Sequence, residues 1–239
     1  RIISWKEEGG PIIPLPLVYT ESITNPKNHN LGICRIQIHD DSTSGVQWQL
    51  HRGGEFHHQE AEMLGETLPV STFLGGPPAL LAAAAAPVPE QMHELMLASL
   101  ILGGRLPMVK DPLGGHRIPA EAEFAIRGLV PRQERRTVGP AGDLYGYYSQ
   151  PLDSPVMHVQ RMWHRKDAIY PATFTGKPRQ ESYYLSDYLQ RLLSPAYPLI
   201  MPSVKALWSY SESGINTLAS AVVRERYSRE AMGSAFRIL

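Results

Sequence analysis

Four polar residues have types and surroundings that could do chemistry. Glu94 has apolar residues three, four and seven positions further along a predicted helix, so its carboxylate shares a face with them. Burying a carboxylate there costs free energy unless a positive group meets it. His51 follows an apolar segment and precedes Arg-Gly-Gly, and Asn30 precedes a predicted strand that contains Arg35. A guanidinium among apolar strand neighbours likewise needs an anionic partner.

Two interpretations of these residues are open from their types alone. An amide oxygen, an imidazole and a carboxylate, from Asn30, His51 and Glu94, could form a mixed oxygen and nitrogen site for Mn²⁺ or Mg²⁺. The same three residues could instead be a capping amide, a hydrogen-bonded histidine and a salt-bridged glutamate. Their spacing does not assemble the metal site, so residue types alone favour the structural interpretation.

The elements that must position these residues are mostly strands. Alternating or short apolar segments predict strands over residues 31–39, 46–51, 69–74, 108–110, 122–129, 156–165 and 204–210. Helix formers bounded by Pro or Gly predict helices over residues 79–86, 90–102, 182–193 and 216–232, with an irregular stretch over 195–202. This order predicts a β-barrel-like domain followed by the start of an α/β domain.

Composition excludes several classes of protein. The formal net charge is zero and no Lys/Arg stripe occurs, so we expect no nucleic acid partner. The apolar runs are shorter than the ~20 residues of a membrane span. A single cysteine, Cys34, excludes a disulfide framework and predicts a buried small side chain in a reducing, cytoplasmic setting. The chain lacks a starting Met and stops within an amphipathic segment, so we expect it to be truncated at both ends.

Five segments resemble the UbiD-type, prenylated-flavin-dependent decarboxylases. Residues 30–35 resemble the family's Asn-x-x-x-x-Arg motif, and residues 51–54 resemble its metal-binding His-Arg-Gly-Gly segment. Residues 87–94 are similar to its proline-marked helix start with a ligand glutamate, and residues 118–128 to the strand that follows. Residues 139–148 resemble the Gly-Pro-Phe-Gly-Glu/Asp and Gly-Tyr motif of the catalytic acid. The segments occur in family order.

The resemblance implies roles for particular residues. Asn30, His51 and Glu94 would hold Mn²⁺ or Mg²⁺ against the cofactor phosphate. The segment from Ala83 to Pro87 would add mainly backbone groups for the phosphate and a monovalent cation such as K⁺. Arg35 would bind the substrate carboxylate, and Asp143 would be the general acid. The implied cofactor-binding residues are Asn30, Ile33, Arg35, Leu50, His51, Ala84, Ala85, Ala86, Pro87 and Glu94.

The resemblance also implies the fold and the function. The expected fold is α+β: a split β-barrel of the flavin-reductase type with inserted helices over residues 1–175, then a connecting helix and the beginning of an α/β domain over 176–239. The expected reaction is reversible non-oxidative decarboxylation of an aromatic or α,β-unsaturated acid with prenylated FMN, in a homodimer or homohexamer. A prenyl-FMN synthase would supply the cofactor. The alternative is a flavin-binding accessory subunit of a multi-subunit carboxylase.

Two departures from the family pattern bear on these roles. Val138 stands where the family usually has a glutamate that hydrogen-bonds the arginine, so we expect altered substrate geometry or weak catalysis. Ala84 and Ala85 stand where relatives often carry hydroxyl residues, so a cation would rest on backbone carbonyls. A further group, His57, His58, Glu60 and Glu62, is interpreted as a solvated polar helix face rather than a metal cluster.

Overall fold

The computed structural model describes residues 5–48, 52–88, 92–173, 175–176, 179–213 and 218–238. Leu50 and His51, predicted to bind the cofactor, lie outside the described residues. The chain divides into two compact units, one of residues 1–142 and 148–173 and the other of residues 143–147 and 174–239. None of the described helices is both long enough and apolar enough to cross a membrane. The predicted boundary at residue 175 stays a prediction.

The first unit is built on strands. They are β1 Ile12–Ile13, β2 Leu17–Glu21, β3 His29–Ile33, β4 Ile36–Ile38, β5 Thr43–Val46, β6 Leu68–Leu74, β7 Met108–Lys110, β8 Arg117–Pro119, β9 Phe124–Val130, β10 Arg135–Val138 and β11 Leu152–His164. Of these described strands, nine form one antiparallel sheet in the order β1-β4-β5-β11-β9-β6-β2-β3, with β10 paired to β11. β7 and β8 form a separate two-stranded hairpin.

The strand β6 is buried on both faces. Leu68, Val70 and Leu74 belong to the main hydrophobic cluster, together with residues from β2, β4, β5, β9 and β11. Ser71 and Phe73, on the opposite face of the strand, are buried as well. A strand buried on both faces places polar side chains inside the protein, where they need hydrogen-bond partners.

Three helices belong to the first unit: α1 Gly53–Leu64, α2 Pro78–Ala85 and α3 Glu94–Leu102. The last two agree with the predicted helices over residues 79–86 and 90–102, although residues 89–91 lie outside the described part. Both α1 and α3 end at a glycine in the left-handed conformation, Gly65 with φ 76° and Gly103 with φ 68°.

The helix α1 agrees only in part with the sequence interpretation, because residues 57–62 lie on a helix as interpreted but its two histidines are not solvated. The pattern favours strands and turns over most of the first 75 residues, but residues 53–64 are helical because one face docks on the sheet. The expectation of a solvated His57 and His58 is wrong, since both side chains are 4% exposed. Thr20 Oγ1 lies 2.8 Å from His57 Nδ1, and the Glu60 carboxylate accepts hydrogen bonds from the Ser22 hydroxyl and the Ile23 N–H.

The predicted strand over residues 31–39 is interrupted. The chain forms β3 and β4 with Cys34 and Arg35 between them, and Arg35 accepts a hydrogen bond from Gln47 N–H on its carbonyl oxygen. The two pieces pair with different partners, β2 and β1 respectively, so a single straight strand cannot serve both. Cys34 is buried, as predicted.

The second unit contains α4 Glu181–Leu193, α5 Tyr197–Ile200, β12 Val204–Ser209, β13 Ala219–Val223 and α6 Glu230–Ile238, with short 3₁₀ turns at Ser194–Ala196 and Ser211–Ser213. The irregular stretch expected over 195–202 therefore contains α5. The Gln190 amide on α4 donates to Leu207 O and accepts from Ser209 N–H, so it satisfies backbone groups of β12. The predicted helix over 216–232 is wrong, because Ala219–Val223 pairs antiparallel with β12 and the helix α6 begins only at Glu230.

Candidate functional site

Glu94 is brought to the strand that carries Asn30. Glu94 is the first residue of α3, and its Oε2 accepts the backbone N–H of Leu31 at 3.1 Å across 63 residues of sequence. The side chain is partly buried, and this burial raises the pKa of its carboxyl above the ordinary value for glutamate. The backbone hydrogen bond from Leu31 and the nearby Arg52 guanidinium act in the opposite sense on this pKa. A carboxylate in such a place favours a cation close by.

Asn30 lies against the beginning of α1. A Cβ atom added to Gly53 would lie 2.6 Å from Asn30 Oδ1, which is closer than any real side chain could approach. Only glycine therefore fits between the helix and the amide. The start of α1 therefore lies beside the predicted amide ligand. Asn30, Glu94 and the start of α1 thus converge, and His51 itself lies outside the described residues.

Two histidines beside the predicted ligands were not identified as site residues from the sequence. The rings of His29 and His93 stack with their centroids 4.1 Å apart and an interplanar angle of 29°. Burial, followed by repulsion from His93 and His57, lowers the pKa of His29 to about 4, so its imidazole is neutral at physiological pH. The available signal was their position, since each directly precedes a predicted ligand, Asn30 or Glu94. Within the described ranges, no group of three or more His, Cys, Asp or Glu side chains is arranged to hold a metal ion.

Ile33 and Arg35 lie at the end of the same strand. Ile33 is the last residue of β3 and is half-buried, and Arg35 follows two residues later in the link to β4, where it is also half-buried. Both therefore follow Asn30 on one continuous segment.

The predicted backbone contributions from residues 84–87 lie at the end of α2. This helix ends at Ala85, and Ala86 is its extended C-terminal cap, with its N–H donating to Ala83 O. The final carbonyls of a helix carry partial negative charge, which suits a cation. Pro87 is exposed and continues the chain away from the helix. The alanines at 84 and 85 offer no hydroxyl, so a cation there would be bound by carbonyl oxygens.

Asp143 forms a tight turn in the second unit. Its Oδ1 accepts the backbone N–H groups of Tyr145 and Tyr147, each at 2.9 Å, and its own N–H donates to Tyr147 O. The side chain is half-buried. These hydrogen bonds fix the carboxyl group at the turn.

Val138 is a packing residue. It is 3% exposed at the end of β10, opposite Leu152 on β11. A Cβ atom on Gly45 would lie 2.3 Å from Val138 Cγ2 and 2.9 Å from His39 Nε2, so these three residues fill one small space. A glutamate at position 138 would need room that the valine and Gly45 already share.

The comparisons with known proteins agree on one family. The UbiD family model, described as 3-octaprenyl-4-hydroxybenzoate carboxy-lyase Rift-related domain, matches residues 2–178. A Chlamydia pneumoniae protein, named as one subunit of a 4-hydroxybenzoate decarboxylase, is 47% identical over 240 residues, which covers 100% of this chain and 41% of that protein.

Solved structures agree with this result. The closed form of vanillic acid decarboxylase (ShVdcCD) from Sedimentibacter hydroxybenzoicus matches with a TM-score of 0.90 and 26% identity, covering 98% of this chain and 50% of that one. An evolved dimeric form of the UbiD-class enzyme HmfF from Pelotomaculum thermopropionicum, in complex with prFMN, matches with a TM-score of 0.82 and 24% identity over 98% of this chain and 55% of that one. This chain thus spans about half the length of these proteins, and less than half of the chlamydial relative. The predicted α+β fold is confirmed, and the chain belongs to the UbiD family.

Proposed function

We propose that the protein takes part in the reversible non-oxidative decarboxylation of an aromatic or α,β-unsaturated carboxylic acid, with prenylated FMN as its cofactor. The observation that carries the proposal is the hydrogen bond from Leu31 N–H to Glu94 Oε2 beside the contact of Asn30 with Gly53. In a member of the UbiD family, these two contacts support a metal site that would use Asn30 and Glu94, with His51 as the third ligand by proposal. The HmfF structure, named as a complex with prFMN, supports the choice of cofactor.

The residues present fit a metal-anchored phosphate. Asn30 Oδ1, the Glu94 carboxylate and, by proposal, the His51 imidazole would supply oxygen and nitrogen ligands suited to Mn²⁺ or Mg²⁺. The raised pKa of Glu94 reflects burial that a bound cation would offset. The last carbonyls of α2 would hold a monovalent cation such as K⁺.

The prenylated flavin supplies the electron sink that no ordinary side chain offers once CO₂ leaves. The chain supplies recognition and proton transfer. The Arg35 guanidinium would hold the substrate carboxylate by paired N–H donors. The Oδ2 atom of Asp143 would give a proton to the substrate carbon in the decarboxylation direction and take it back in the carboxylation direction. The hydrogen bonds from Tyr145 and Tyr147 to Oδ1 support this role, because they would hold the carboxyl group in one orientation.

A multi-subunit assembly is a second element of the proposal. The chlamydial relative is named as a decarboxylase subunit and the vanillic acid decarboxylase as ShVdcCD, which supports association with further chains. Because Val138 fills the position of a usual glutamate, a flavin-binding accessory role is the alternative to catalysis by this chain. Turnover of an unsaturated acid by the purified protein without partners would exclude the accessory role. A homodimer or homohexamer, a cytoplasmic location and dependence on a prenyl-FMN synthase stay predictions.

The test is to produce the protein at its native length together with a prenyl-FMN synthase. The expected result is a copurified ligand with the mass and absorbance of prenylated FMN, stoichiometric Mn²⁺ after reconstitution, and release of CO₂ from an aromatic or α,β-unsaturated acid. Glu94→Gln should weaken Mn²⁺ binding by at least about tenfold, and the exposed Glu66→Gln serves as the matched control. Equal Mn²⁺ affinity in both variants would refute the site, and unmodified FMN in an active preparation would refute the cofactor.

A further inference from the structure

An N-terminal strap, defined as residues 5–9, lies on the loop of residues 139–142. Gly9 N–H donates to Pro140 O at 2.9 Å, and a Cβ on Gly9 would lie 1.9 Å from Gly139 O. The ring of Trp5 covers Gly142 so closely that a Cβ there would lie 2.2 Å from it. These close approaches require glycine on both sides of the contact.

The strap holds both ends of the turn that contains Asp143. Gly142 and Tyr148 form an isolated antiparallel bridge on either side of that turn. Trp5 packs edge-on against the Tyr148 ring at 5.1 Å, and Glu7 N–H donates to the Tyr148 hydroxyl oxygen at 3.0 Å. The strap therefore contacts the residue before the turn and the residue after it.

A buried glutamine ties the strap and the loop to the sheet. Gln37 on β4 is 4% exposed. Its Nε2 donates to Gly9 O at 3.3 Å, and its Oε1 accepts Gly139 N–H at 2.7 Å. One side chain thereby satisfies a backbone group on each of the two segments, which fixes their relative position.

Glu8 provides the charged contact in this arrangement. Its Oε1 accepts the N–H of Gly142, the residue directly before Asp143, at 3.3 Å. Glu8 is half-buried, and a carboxylate accepting a backbone N–H makes a stronger hydrogen bond than a neutral acceptor does. Position 138 cannot place a carboxylate at this loop without displacing the packing of Val138 on Gly45.

We propose that Glu8 is a positioning residue for decarboxylation: through the Gly142 N–H its carboxylate sets the base of the turn that presents Asp143. This inference rests on the proposed function and assigns to the strap the orienting carboxylate that the loop itself lacks. Misplacing a reacting group by about 1 Å can cost about 100-fold in rate, so the expected signature is a loss of kcat rather than of substrate binding.

The test compares Glu8→Ala and Glu8→Gln with Glu7→Gln in the flavin-loaded protein. Glu7 contacts Tyr148 only through its backbone N–H among the described hydrogen bonds, so it is the matched control. Glu8→Ala should lower kcat by about 10- to 100-fold with KM changed less than about threefold, and should speed hydrogen exchange of the Gly142 amide. Glu8→Gln, which keeps an acceptor oxygen, should fall between Glu8→Ala and the wild type.

Kinetics, melting temperature and exchange of the Gly142 amide decide the proposal. Unchanged kcat in Glu8→Ala overturns it. A fall in kcat accompanied by a comparable rise in KM and a lower melting temperature also overturns it, because that result would indicate a purely structural strap. If the wild-type protein binds no prenylated flavin or turns over no acid, the proposed function fails, and Gly142 exchange then decides separately. Faster exchange in Glu8→Ala but not in Glu7→Gln would still support a positioning contact, and equal exchange would overturn it.

Discussion

The buried ion pair between Asp111 and Arg127 should be the most sensitive point of the first unit. Arg127 Nε lies 3.6 Å from Asp111 Oδ2, and their side chains are 8% and 0% exposed. Arg127 Nη1 also reaches His116 Nδ1 at 2.7 Å and Ser71 Oγ at 3.3 Å. Asp111 Oδ1 accepts Leu113 N–H at 2.8 Å, so the pair fastens the β7–β8 hairpin onto the sheet.

The perturbation is Asp111→Asn, which keeps an acceptor for Leu113 N–H but removes the charge. Two unit charges 3.6 Å apart attract by about 5 kcal/mol at an effective dielectric constant of about 20. Leaving one charge buried and unpaired typically costs ~3–5 kcal/mol. For a unit of this size, that corresponds to a fall in melting temperature of about 6–20 °C.

Global stability is measured by urea and thermal unfolding. Local opening of the hairpin is measured by hydrogen exchange of peptides from β7, β8 and β9. The matched control is Arg165→Met, which breaks a pair with Glu123 in which the arginine is 57% exposed, and which should cost less than about 1 kcal/mol. Asp111→Leu combined with Arg127→Met should recover most of the loss, because an apolar pair leaves no unpaired charge. If Asp111→Asn loses no more stability than Arg165→Met, the pair does not hold the hairpin and the reasoning is wrong.

Two further predictions concern acid stability and the metal site. Burial, followed by the charge of Arg127, lowers the pKa of His116 to about 3, so the unfolded chain binds a proton between pH ~6.5 and ~3 that the folded protein excludes. The stability that this group contributes is therefore present above pH ~6.5 and lost as the pH falls. His116→Gln should reduce the slope of the free energy of unfolding against pH by up to about 1.4 kcal/mol per pH unit, measured by urea titrations. An unchanged slope would contradict this prediction. Gly53→Ala should displace Asn30 and weaken Mn²⁺ binding at least about tenfold, as measured by electron paramagnetic resonance. Gly104→Ala, with no atom within 4 Å of its added Cβ, should leave Mn²⁺ binding unchanged. Equal Mn²⁺ affinities of the two variants would mean that the contact between Gly53 and Asn30 is irrelevant to the metal.

Elements with strong local signals were predictable from the sequence. The β7 strand and the helix α4 have the predicted positions within one residue, because turn and capping residues bound their apolar patterns. The helix α1 was predictable only as a polar helix face and not as a buried one. Its buried face includes His57 and His58, which count as polar in any sequence pattern. They are core residues here because the helix packs on the sheet and Thr20 forms a hydrogen bond with His57. The helix prediction over Ala219–Val223 was wrong for the converse reason, because this segment forms a strand through its pairing with β12.

The candidate site could be predicted in its residue types but not in its geometry. Glu94 and Leu31 are 63 residues apart, and their contact exists because β3 pairs with β2 while α3 packs beside β3. No periodicity in either segment encodes that meeting, so only resemblance to a family could group Asn30 with Glu94 in advance.

Glu8 illustrates the same limit more sharply. Nothing in its sequence neighbourhood marks it, and 134 residues separate it from Gly142. The signals that could have marked the contact are two glycines: the missing side chain of Gly9 lets its backbone approach that of Gly139, and the missing side chain of Gly142 leaves room for the Trp5 ring. If room for the Trp5 ring is the reason for Gly142, then Gly142→Ala should displace that ring and reproduce the kcat loss of Glu8→Ala without altering Glu8 itself. A Gly142→Ala variant with normal turnover would separate the strap from the chemistry, and the role assigned to Glu8 would then have no structural basis.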